Sequence, residues 1–204
     1  PFEPDILRTG GAIRKAAWFL SEQPLWILNA DVALDLDPRI LLAPFARHRA
    51  DAALWMHPTR GPRTVELDGQ TIRSFRSSHP GTPGTATFCG LQLFHPALLP
   101  FIKPDGPDTL VAVYERAMAA GRSVLGIASD RGFWADLGTP ASLLQAHTDT
   151  RTAARQHRPG HALYRTDADP APTAAPFISR SPSAAINPKA RLVNTLVLDQ
   201  ARLG

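Results

Sequence analysis

Two aspartates stand where carboxylates can do chemistry. Asp31 follows the apolar run Leu25 to Leu28 after Asn29-Ala30, and Asp136 closes the run Phe133 to Asp136, just ahead of Gly138-Thr139-Pro140. A carboxylate at the carboxyl end of a strand faces the crevice where open α/β sheets bind ligands. Such a group can hold Mg²⁺ together with substrate phosphates. Alone, an aspartate after a strand is more often a loop start, cap or turn residue, and the separation of the two in sequence does not pair them. A third polar feature is Thr9-Gly10-Gly11, read as lying just before a helix. Glycines there let the backbone approach a flat or anionic ligand, with the free amides of the helix start as donors. A tight turn into the helix explains the same residues without a ligand.

The elements that must position these groups can be read from spacing. Ile13, Ala16, Ala17 and Leu20 recur at helical intervals, which predicts a helix over 10–21. Leu25 to Asn29 has the all-apolar look of a buried parallel strand. Asp37-Pro38 is a cap followed by proline at the first helical position, for a helix running to about His48. Strands are expected at Ala52 to Met56 and Thr85 to Phe94, with a hairpin from Thr64 to Phe75 turning at Asp68-Gly69 and a short helix from His95-Pro96. Asp108 is expected to cap a helix with the apolar stripe Leu110, Val113, Tyr114, Ala117 and Met118, closed by Gly121. Ser123 to Ala128 and Phe133 to Asp136 are the last strands, and Thr139 with Pro140 opens a further helix. Strands alternating with helices imply an α/β sheet covered on both faces. Residues 149–176, rich in Arg, Ala, Pro and Thr, read as a linker with room for one loose helical turn. Ile186, Leu192, Val197 and Leu203 recur at roughly six-residue intervals, as in the first coil of a left-handed β-helix.

Composition narrows the classes. The 204 residues are 44% hydrophobic and 20% charged, ordinary values for a globular protein. The net charge is +4 and the pI 9.8, yet the basic residues are scattered arginines with no block and no aromatic interleaving. A nucleic-acid surface gathers its charge on one face, so no nucleic acid is expected as partner. The apolar runs fall well short of a membrane span, so no membrane is expected either. No secretory leader is recognisable at the start of the sequence. Cys89, alone and inside an apolar run, reads as a buried small hydrophobe in a reducing, cytoplasmic setting.

Read together and in order, the motifs resemble the sugar-1-phosphate nucleotidyltransferases. Glu3 to Ile13 resembles that family's nucleobase-binding segment, and Leu28-Asn29-Ala30-Asp31 its metal-binding strand end, usually N-G-D. Thr87-Phe88-Cys89-Gly90-Leu91 resembles the F-x-G element beside the sugar, and Trp134 to Pro140 the W-x-D-x-G-T-P signature. The resemblance covers residues 1 to about 148, and a trailing β-helix is common in the family. It implies a Rossmann-like nucleotidyltransferase sheet over 1–148, a linker over 149–176 and the start of a left-handed β-helix over 177–204. By that resemblance Asp31 and Asp136 are the catalytic, Mg²⁺-binding pair. Thr9, Gly10 and Gly11 meet the nucleotide through backbone amides, and Gly90 leaves room for the sugar. The implied partners are an NTP (UTP or GTP) and a sugar-1-phosphate such as an N-acetylmuramate, mannose or heptose phosphate. The products are pyrophosphate and an NDP-sugar for cell-envelope or polysaccharide synthesis, and a homo-oligomer is compatible with this.

Two departures qualify the resemblance. The family's opening strand and its G-x-G-x-R…P-K region have no counterpart from Pro1 onward, so the sheet is expected to be N-terminally incomplete and the chain by itself inactive. Arg63-Thr64 stands where Tyr-Gly is frequent, and no Glu-Lys-Pro occurs among Ser74 to Pro80. The alternative is a catalytically inactive regulatory subunit that binds nucleotide-sugars, and a third reading is a β-helix scaffold with no nucleotide site. Retention of both aspartates favours the enzyme.

Overall fold

The computed structural model describes residues 5–20, 22–156, 158–159, 178–193 and 195–203. Its strands in chain order are β1 (Leu25–Leu28), β2 (Val32–Asp35), β3 (Ala52–His57), β4 (Val65–Asp68), β5 (Thr71–Ser74), β6 (Thr85–Phe94), β7 (Val124–Ala128) and β8 (Phe133–Asp136). Four short ones follow: β9 (Ile178–Arg180), β10 (Ala185–Ile186), β11 (Thr195–Val197) and β12 (Arg202–Leu203). The α-helices are α1 (Arg8–Lys15), α2 (Leu42–Arg47), α3 (Leu110–Ala119) and α4 (Pro140–Arg155). The chain divides into two compact units, one of residues 1–30 with 37–130 and one of 31–36 with 131–204. The division differs from the expected boundary at 148, because the short segment 31–36 leaves its sequence neighbours to pair with 133–136.

The first unit is built on a six-stranded sheet in the order β1-β6-β3-β7-β5-β4. All six residues of β3 are buried, as expected of a central strand covered on both faces. Only β3 and β7 are parallel neighbours; β6 runs antiparallel to β1 and β3, and β5 antiparallel to β7. The expectation of a buried parallel strand at 25–29 is therefore corrected. β1 pairs antiparallel with β6 and alternates half-buried Leu25 and Ile27 with exposed Trp26 and Leu28. Asp68-Gly69 turns the β4–β5 hairpin with Gly69 at φ 60°, a left-handed conformation glycine adopts without strain.

One face of this sheet carries the main core, in which Leu54, Met56 and Phe94 meet Leu110, Val113, Tyr114 and Ala117 of α3. The helical stripe read from the sequence is thus the stripe that packs. Its cap is Thr109 rather than Asp108: the Thr109 side chain accepts from the Ala112 N–H. Asp108 is instead a buried hub. Its carboxylate accepts from the Lys103 and Thr109 N–H groups, each at 3.0 Å, and pairs with the Arg116 guanidinium. In the core the Tyr114 hydroxyl donates to Gln92 Oε1 at 2.6 Å.

Two helices differ in extent from the sequence reading. α1 ends at Lys15 and is followed by a 3-10 turn at Ala17–Phe19, so the helix expected over 10–21 is shorter and starts earlier. The Asp37-Pro38 cap is present, the Asp37 carboxylate accepting from the Arg39 N–H at 3.0 Å, but it opens a 3-10 turn that leads into α2.

In the second unit β2 and β8 form an antiparallel ribbon. The Thr139 hydroxyl accepts from the Ser142 N–H at 3.1 Å and so caps α4, as its sequence suggests. α4 continues to Arg155, so 149–155, expected as a linker with one loose turn, is helical; 157 and 160–176 lie outside the described residues. The tail consists of two short parallel pairs, β9 with β11 and β10 with β12. No helix among the described residues is long and apolar enough to cross a membrane.

Candidate functional site

The two aspartates meet at one end of the β2–β8 ribbon. Register places Val32 opposite Asp136, Ala33 opposite Ala135, Leu34 opposite Trp134 and Asp35 opposite Phe133. The ladder runs one step further, since the Leu137 N–H donates to the Asp31 carbonyl at 2.8 Å. Burial of Phe133 and Trp134 anchors β8, leaving Asp136 as the exposed end of the strand. The chain turns after Asp136, and the Gly138 N–H donates to Asp136 Oδ1 at 2.8 Å. A Cβ built on Gly138 would lie 3.2 Å from that oxygen and 3.7 Å from Asp31 Oδ2. Both carboxylates therefore flank one point beside the turn. Neither is in an ion pair among the described residues.

This donor set suits a hard divalent cation that keeps part of its hydration shell. No group of three or more His, Cys, Asp or Glu side chains placed to hold a metal occurs among the described residues. Two exposed carboxylates suit the way Mg²⁺ is held through one or two carboxylates plus substrate phosphates.

The other expected contacts lie in the first unit, and their geometry is corrected. Gly10 and Gly11 are inside α1 and buried, and their N–H groups both donate to the Asp108 carbonyl, at 2.8 and 3.2 Å. The Thr9 hydroxyl accepts from the Leu110 N–H at 3.0 Å. Small residues let α1 press against the start of α3, and that contact uses the amides expected to meet a nucleobase. At Gly90 the backbone has φ 80°, and a Cβ would fall 3.0 Å from the Asn29 side chain. The space a side chain at 90 would take is held by Asn29, whose own N–H donates to the Gly90 carbonyl at 2.9 Å.

Residues beyond those expected shape the same region of the first unit. His57, at the end of β3, accepts at Nδ1 from the N–H groups of Thr59 and Arg60, so its neutral ring carries its proton on Nε2. Burial, reinforced by the Arg60 charge and partly opposed by Asp130, lowers its pKa. Arg63 has φ 45°, uncommon for a residue with a side chain. Its N–H donates to Thr87 Oγ1 at 2.8 Å and its guanidinium donates to the carbonyls of Pro58 and Gly81, stapling two loops to β6. Cys89 is fully buried and its thiol is pushed up to about 12, which makes it inert as a nucleophile.

The family model for nucleotidyl transferases matches residues 2–153. The chain belongs to the nucleotidyl transferase family. It is similar to the N-acetylmuramate alpha-1-phosphate uridylyltransferase of Caulobacter vibrioides, with 28% identity over 152 residues, 69% of this chain and 60% of that protein. Among solved structures, it resembles the inositol-1-phosphate CTP transferase from T. maritima at a TM-score of 0.55 and 13% identity, covering 67% of this chain and 58% of that one. HddC from Yersinia pseudotuberculosis gives 0.56 and 16%, covering 70% and 62%. At these identities the structural likeness shows the nucleotidyl transferase fold. The chain spans about three fifths of the length of these relatives.

Proposed function

We propose that this chain forms part of an enzyme that transfers a nucleotidyl group from an NTP to a sugar-1-phosphate, releasing pyrophosphate and forming an NDP-sugar. The observation that carries the reading is the convergence of Asp31 and Asp136 beside Gly138. Asp31 and Asp136 would hold Mg²⁺ alongside substrate phosphates. When bound, the cation supplies Lewis-acid polarisation and a template for the phosphates. The chain's own contribution is positioning: a sugar-phosphate oxygen attacks the α-phosphorus in line, and the pyrophosphate departs on the opposite side. The name of the Caulobacter relative favours UTP over GTP as donor and an N-acetylated sugar phosphate as acceptor. The lone buried thiol suits a cytoplasmic setting.

The tail is read as the start of a left-handed β-helix. Paired residues are 17 positions apart in both pairs (178 with 195, 185 with 202), close to three hexapeptides per coil.

The test is pyrophosphate release from UTP or GTP with a panel of sugar-1-phosphates, using the protein as it is encoded. Asp31→Asn and Asp136→Asn are each expected to slow turnover at least about a hundredfold, as lost charge stabilisation does elsewhere. Undiminished turnover in either variant would remove that residue from the mechanism. Tight NDP-sugar binding without turnover would favour the regulatory subunit instead.

A further inference from the structure

We propose that Gly138 is a positioning residue whose bare Cα keeps the gap between Asp31 and Asp136 open to the cation. Resting on the metal reading above, this gives Gly138 a task performed through the two carboxylates it adjoins. A glycine is usually retained for one of two reasons, and one of them is ruled out. Its φ lies outside the left-handed range, so the backbone here would accept a side chain without strain. The second reason is space. Among the described residues, leaving aside its chain neighbours Leu137 and Thr139, the heavy atoms within 4 Å of a Cβ at this position are Asp136 Oδ1 and Asp31 Oδ2, at 3.2 and 3.7 Å. No apolar side chain and no backbone atom would be displaced by a methyl group. What it would crowd is the pair of carboxylate oxygens and whatever they hold between them.

The Gly138 N–H adds a second function, since it donates to the same Asp136 oxygen at 2.8 Å. That bond fixes the carboxylate rotamer with one lone pair committed to the turn and the rest free. A methyl group at 3.2 Å would push the carboxylate off this position or fill the place of a cation-bound water. The loss is one of metal affinity rather than of folding, because the turn itself tolerates the substitution.

The experiment uses the full chain and Mn²⁺ alone, which takes the same hard oxygen donors as Mg²⁺ and is counted by electron paramagnetic resonance. Gly138→Ala is expected to bind Mn²⁺ at least about tenfold more weakly, the scale of other outer-shell changes at metal sites. Gly138→Val is expected to be weaker still, and the alanine variant should keep the parent's thermal midpoint. Asp31→Asn and Asp136→Asn serve as references. Should the alanine variant bind as the parent does while the asparagine variants do not, Gly138 has no such role and the metal reading stands. Should the parent bind no Mn²⁺, both fall together. Loss of folding in Gly138→Ala would also overturn the proposal, since the described atoms that the added carbon meets beyond its chain neighbours are two exposed carboxylate oxygens.

Discussion

His57 can take up a second proton only by turning an acceptor into a donor. Its Nδ1 already receives the N–H groups of Thr59 and Arg60, so protonation there would set three donors against one another inside the fold. Its folded pKa is lowered from 6.5 by burial, with the Arg60 charge adding to the effect. The unfolded chain then binds the proton more readily, and stability falls as pH drops below 6.5, levelling off only below the folded value. Urea unfolding between about pH 7.5 and 5.5 should show this loss, and His57→Asn, which keeps one acceptor for the two amides, should reduce the slope. A residual slope is expected from His147, lowered by burial as well. An equal slope in the parent and the variant would show that His57 does not titrate in this way. Residue identity made Asp31 and Asp136 stand out in the sequence, because a carboxylate ending an apolar run is visible in one dimension. The occupation of the Gly10 and Gly11 amides was not visible: their partner, the Asp108 carbonyl, is about a hundred positions away.

At the level of elements, the junction of α1 with α3 depends on Asp108. Its backbone carbonyl receives α1, while its buried carboxylate ties together Lys103, Thr109 and Arg116. Burial pushes its pKa up, but the Lys103 amide and the Arg116 guanidinium outweigh this, and the net shift is downward. Its stabilising effect is therefore full above pH 3.8 and is lost as the pH falls through the folded value. Asp108→Asn leaves the Arg116 charge without its partner and is expected to cost about 3 kcal/mol in denaturant unfolding. A cost below about 1 kcal/mol would mean that the hydrogen bonds alone hold the junction. The α3 stripe was readable because burial on one face writes itself at every third or fourth residue. The end of α1 was not, since the apolar residues at 16–20 keep a helical rhythm while the backbone has already tightened into a 3-10 turn. For β2 the sequence offered no sign of pairing with β8, a partner about a hundred residues away.

Across the whole molecule, burial is distributed unevenly between the two units. Strands β3, β6 and β7 are almost wholly buried, whereas β10 and β12 have two residues each and β12 is exposed. Amide hydrogen exchange should therefore be slowest in the central sheet and at least about a hundredfold faster in β10 and β12. Equal protection would show that the tail shares the stability of the main core. The family could be recognised because its short motifs keep their order along the chain. Strand directions could not be, because an apolar run carries no mark of whether its neighbour is parallel or antiparallel.

The small β2–β8 ladder has a mechanical consequence. Four cross-strand pairs and the bond from Leu137 to the Asp31 carbonyl lash the two acids to a single stiff strip. The spacing of the two acids is thus set by backbone hydrogen bonds, and it does not depend on the side chains around them.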